Sequence, residues 1–132
     1  MPSTRVLSVG QCSFDHGTIS RTLEHAFDVR VQDAVARDDA LETLRSEPFD
    51  LVLVNRIIDR DGSSGLDLIR AIKADPELAG VPVMLVSNYG DAQADAVAIG
   101  ALRGFGKVEL RDPATRDRIA EVLNPRGQAG PG

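Results

Sequence analysis

The chain has little of what would commit it to a membrane, a nucleic acid or an oxidising compartment. It contains one cysteine, Cys12, so no internal disulfide can form, and a cytoplasmic setting is expected. It has no tryptophan, and aromatics make up only 4% of it, so aliphatic side chains must build the core. No segment approaches the roughly 20 apolar residues that cross a bilayer, and the start Met-Pro-Ser-Thr-Arg carries no secretory apolar region. Basic residues are outnumbered, 15 against 20 acidic, giving a net charge of −5, and they form no cluster along the chain. Autonomous DNA or RNA binding is therefore not expected, because it needs a positive surface to neutralise phosphates. The turn at 10–17 lacks the G-x-G-x-x-G spacing of a dinucleotide loop, and there is no Walker motif and no paired set of zinc ligands.

What is present reads as one domain around one core, over residues 1–124, with 42% hydrophobic and 27% charged residues. Strand-like and helix-like segments alternate. Residues 5–9 form a short apolar strand. Ser13 then reads as the N-cap of a helix to about Phe27, with Phe14, Ile19, Leu23 and Phe27 near one face. Residues 28–31 alternate like an edge strand. Asp38 or Asp39 opens a second helix, stopped by Pro48. Residues 51–54 and 81–86 are continuously apolar (apart from Pro82), as central parallel strands covered on both faces are. Helices are expected at 66–74, 92–101 and from Pro113 to Leu123, with a last strand at 104–107. The tail 125–132 has no apolar anchor and reads as disordered.

This alternation implies an α/β fold: a doubly wound, five-stranded parallel sheet flanked by five helices. In such sheets the ligand crevice lies at the C-terminal edge of the strands. Three polar residues end successive apolar runs there: Asn55, Ser87 and Lys107. Gly10 and Gln11, in the turn after the first strand, belong to the same edge.

On these residues the chain resembles the receiver domain of two-component response regulators, a flavodoxin-like fold of strand order 2-1-3-4-5. Asn55 matches the phospho-accepting aspartate of that family, Ser87 its Ser or Thr, and Lys107 its lysine. The segment Gly65-Leu-Asp-Leu-Ile69 and the pair Gly100-Ala101 are also similar. The resemblance implies signal transduction in a phosphorelay. The departures are as ordered as the matches. Gly10 and Gln11 stand where the family holds Mg²⁺ with two acidic residues. Gly104 stands where it has a switch aromatic, with Phe105 one place later. Val108 replaces a proline, and the loop after Asn55 is about two residues longer than usual, with Asp59 where a proline is common.

Mg²⁺ is a hard cation that depends on carboxylate and phosphate oxygens. The three matching positions supply no negative charge, and an amide cannot be esterified. No metal, no cofactor and no enzymatic activity are therefore expected, and Asn55→Asp alone would not restore the site. The implied function is a phosphorylation-independent interaction module. Its expected partners are a histidine kinase, an effector, another regulator, or a second copy through the face of the fourth helix, fifth strand and fifth helix. The alternatives are a receiver phosphorylated at a non-standard carboxylate, or a non-signalling binding protein or enzyme on the same scaffold. With its acidic partners gone, Lys107 is expected to turn outward or to pair with Asp59 or Asp61. If it does not, Ser87 and Lys107 retain the makings of an anion site.

Two further patterns have plain readings. Asp59, Asp61, Ser63 and Asp67 suggest a calcium loop, but its sixth position is Ser64 and its twelfth is Arg70, so a polar surface loop is expected. Cys12 and His16 stand four apart near a helix N-terminus, where a thiol can be activated. A lone cysteine in such a turn is more often inert.

Overall fold

Continuous apolar runs must be covered on both sides, and helices laid over both faces of one sheet achieve this. The computed structural model describes residues 4–123; the tail 125–132, expected to be disordered, lies outside the described residues. Among the described residues there are five strands, β1 (Thr4–Val9), β2 (Val29–Ala34), β3 (Leu51–Asn55), β4 (Val83–Val86) and β5 (Leu102–Phe105). They alternate with α1 (Ser13–Ala26), α2 (Arg37–Ser46), α3 (Gly65–Ala74), α4 (Gly90–Ala98) and α5 (Pro113–Leu123). All pairings are parallel, in the order β2-β1-β3-β4-β5. No helix among the described residues is long and apolar enough to cross a membrane.

Alternate strand residues point to opposite faces. Leu7, Val9, Val52, Val54, Val83 and Leu85 pack under α2, α3 and α4. Val6, Leu51, Leu53, Met84, Val86 and Phe105 pack under α1 and α5, against Ile19, Leu23 and Ile119. Each fully buried aliphatic side chain of this kind contributes roughly 1.5–3 kcal/mol relative to exposure.

Several boundaries differ from the sequence expectation. Cys12, not Ser13, caps α1, its Sγ accepting from the Asp15 N–H at 3.5 Å. Phe14 points away from the core and is 76% exposed, because the inward stripe of α1 begins at Ile19. α2 begins at Arg37 without a side-chain cap, so Asp38 and Asp39 lie in its first turn. α4 runs Gly90–Ala98 rather than to Ala101. The last strand ends at Phe105, and Lys107 opens a short 3₁₀ turn, Lys107–Glu109, instead of ending the strand.

Candidate functional site

β3 delivers Asn55 to the C-terminal edge of the sheet, half-buried. Its amide nitrogen donates to two carbonyl oxygens, of Gly10 at 3.2 Å and of Ile57 at 2.7 Å. Carbonyls only accept, so the local backbone calls for a group with two donors here. A carboxylate at this position would set its oxygens against those carbonyls.

Gly10 follows β1 with φ +76°, a conformation that L-residues avoid. A Cβ added here would fall 2.5 Å from Ile58 Cδ1 and 3.1 Å from Ile58 Cα. Ile58 is fully buried in the α2–α4 side of the core. The long β3–α3 loop brings it there. That loop is tied down by the Asp59 N–H donating to the Gly10 carbonyl, 2.9 Å, and the Ile58 N–H donating to the Ser63 carbonyl, 2.9 Å. Position 10 thus has neither the conformation nor the room for an acidic side chain. Gln11 beside it is 4% exposed, and neither end of its amide has a hydrogen-bond partner among the described residues. It lines a cavity of about 130 Å³ with Ser13, Asp33, Val35, Asp59 and Arg60.

Ser87 is buried at the end of β4. Its Oγ accepts from the Tyr89 N–H at 3.1 Å, closing the turn into α4. Lys107 does not pair with Asp59 or Asp61. Its Nζ donates to Asp15 Oδ2 in the first turn of α1, at 2.6 Å. That hydrogen bond is the main reason the Asp15 carboxyl lies below the usual carboxylate range; partial burial opposes it and Cys12 assists it. Glu109 fixes the turn that carries Lys107, accepting from the Gly106 N–H at 2.8 Å. Ser87 and Lys107 thus each have a protein partner, and neither pairs with the other.

Gly104 occupies a bulge. Between the pairs Met84–Leu102 and Val86–Phe105, one β4 residue faces two on β5. Side chains satisfy its stranded backbone: Gln93 Oε1 accepts from its N–H at 2.9 Å, and Arg118 Nη1 donates to its carbonyl at 2.8 Å. Gln93, only 4% exposed, also donates through Nε2 to the carbonyls of Leu85 (2.9 Å) and Ser87 (3.1 Å). One buried amide thereby joins α4 to β4 and β5. A side chain at 104 would collide with the Leu85 carbonyl oxygen, while Phe105 points to the opposite layer.

The remaining candidates resolve locally. Asp61 accepts from the N–H (2.9 Å) and hydroxyl (2.6 Å) of Ser63, which hold its pKa low, and Asp67 pairs with Arg70 at 2.8 Å. Among the described residues no three His, Cys, Asp or Glu side chains converge as a metal centre would require. His16 Nδ1 faces Asp33, 3.8 Å away. Ile58, Gln93, Arg118 and Asp15 carry much of the site's architecture, and none stands out in the sequence.

No protein-family model and no curated protein sequence matches this chain. Solved structures do. The signal receiver domain of a DNA-binding response regulator from Colwellia psychrerythraea 34H is 22% identical, with 92% of this chain and 98% of that chain covered and a TM-score of 0.78. A response regulator from Thermotoga maritima is 24% identical, with 91% and 97% covered and a TM-score of 0.73. A response regulator protein from Burkholderia pseudomallei, solved with a phosphorylated aspartic acid, a calcium ion and citrate, is 22% identical, with 96% and 69% covered and a TM-score of 0.70. The likeness establishes the fold: this is the five-stranded, receiver-like α/β architecture.

Proposed function

We propose that the domain serves two-component or related signalling as a receiver-fold interaction module that neither binds Mg²⁺ nor accepts a phosphoryl group at Asn55. The observation that carries this reading is Ile58 packed over Gly10, where φ is +76°. A divalent ion at this edge needs anionic oxygens to offset its dehydration. Positions 10, 11 and 55 offer a glycine without room for a side chain, a neutral amide, and an amide whose nitrogen faces two carbonyls. These residues do not fit the ion. Asp15 already neutralises Lys107, which supports a site at rest without a bound anion. No catalytic role is assigned to any residue.

The partner face in this reading is α4–β5–α5, offered to a histidine kinase, an effector, another regulator or a second copy. Val97 (47% exposed) and Leu102 (43% exposed) support it as a contact surface. Gln93 and Arg118 favour one arrangement of that face, since both grip the Gly104 backbone. Titrating Mg²⁺ while recording amide NMR spectra tests the proposal. The amides of Gly10, Gln11 and Asn55 should show no saturable shift; a saturable shift centred on them would overturn it.

A further inference from the structure

We propose that the groove between α1 and α5 binds an acidic segment of a partner protein, with carboxylates on Arg21, Arg111 and Arg116 and an apolar side chain on Phe14 and Val108. The basic residues are scattered along the chain, and the fold gathers them. Two cavities, of about 470 and 310 Å³, run together through the residues they share, Arg21, Thr22 and Arg111. His25 and Arg116 line the lower one, and Phe14, Lys107 and Val108 the upper. No Asp or Glu lines either, in a chain carrying 20 of them.

Lys107 is neutralised by Asp15, but Arg21, Arg111 and Arg116 have no carboxylate within ion-pair distance among the described residues. All three are exposed. Exposed guanidiniums gathered without a counter-charge raise a positive potential that a carboxylate-bearing ligand lowers. The upper end adds what charge alone does not explain: Phe14 is 76% and Val108 80% exposed, side by side in one cavity. A ligand combining carboxylates with an apolar anchor matches both features.

The groove follows α1 from Phe14 to Ala26, roughly 20 Å at helical rise, which is room for about six extended residues. A nucleic acid is the poorer match. The molecule carries a net charge of −5, and α5 also bears the exposed Asp117 and Glu121.

The test uses a fluorescein-labelled glutamate peptide with a central leucine pair, its glutamine counterpart, and an all-glutamate peptide, followed by anisotropy at low and physiological salt. The glutamate–leucine probe should bind saturably and weaken with salt, and the glutamine peptide should not bind. The combined variant Arg21→Glu, Arg111→Glu, Arg116→Glu should lose about tenfold or more in affinity, whereas Arg103→Glu on the exposed side of β5 should lose none. Phe14→Ser should weaken the leucine probe and leave the all-glutamate peptide unchanged. The proposal is overturned if the probe does not bind at low salt or if Arg103→Glu matters equally. It is also overturned if labelled single-stranded DNA binds more tightly through the same arginines. Self-association that the combined reversal abolishes would likewise overturn it, by identifying a second copy as the occupant.

Discussion

Gly10→Ala is the smallest change that probes why the crevice holds no acid. The new methyl would sit 2.5 Å from Ile58 Cδ1 and 3.1 Å from its Cα, with the backbone still at φ +76°. Holding an L-residue in that region costs about 1 kcal/mol or more. Forcing a methyl into a filled core costs about 1–3 kcal/mol, since Ile58 is fully buried and cannot swing into solvent. The expected loss is about 2–4 kcal/mol in urea unfolding, with an unchanged denaturant slope. Ile58→Ala alone should cost about 2–5 kcal/mol through the lost transfer and the space left behind. In the double variant the methyl at 10 enters that space, so the combined loss should fall short of the sum by about 1–2 kcal/mol. A Gly10→Ala loss below about 0.5 kcal/mol, or strict additivity with Ile58→Ala, would refute the idea that Ile58 closes the site.

Asn55→Asp sets a carboxylate against the Gly10 and Ile57 carbonyls, which raises its folded-state pKa above the unfolded value. Its stability is then whole below the unfolded pKa and lost as pH rises through the folded one. Urea unfolding should show a deficit of about 1–3 kcal/mol near pH 7.5 that shrinks near pH 4, and an equal deficit at both would be inconsistent. Gln93→Leu removes three hydrogen bonds and leaves the Gly104 N–H stranded. It should cost about 2–4 kcal/mol and speed amide exchange in α4 and β5; unchanged exchange there would remove the latch. Lys107→Met should return the Asp15 carboxyl toward its ordinary range, read by carboxyl NMR titration. Asp15 has a lowered folded pKa, so its contribution is present above the unfolded pKa and lost as pH falls through the folded one. That loss should move to higher pH in the variant. The effect on stability should be small because both partners are partly exposed, and an unmoved Asp15 would contradict the pairing.

The two-faced core was legible because residues 51–54 and 83–86 are apolar without interruption, and such runs demand helices on both sides; the strand order followed only from the resemblance to receiver domains. The polar strand ends at Asn55 and Ser87 were legible for the same reason, as breaks in those runs. Ile58 was not, because an isoleucine in a polar loop reads as incidental until the loop's path over Gly10 is known. Nothing in the sequence marks Gln93 out. Its inward position follows from the β4–β5 bulge, which alternation alone does not reveal. Asp15 and Lys107 are 92 residues apart, and only the packing of α1 beside the β5–α5 turn brings them together. Phe14 followed the spacing of a buried helical face yet projects from it, because α1 meets the sheet only from Ile19 onward. The basic groove was invisible for a related reason: its arginines come from two helices and a turn at opposite ends of the chain.

The most direct measurement is the intact mass of the protein after incubation with acetyl phosphate and Mg²⁺. A crevice closed by Ile58 and lined with amides should leave the mass unchanged under conditions that phosphorylate an active receiver run alongside. A single phosphoryl adduct mapped to the β3 end or its loop would contradict that picture outright.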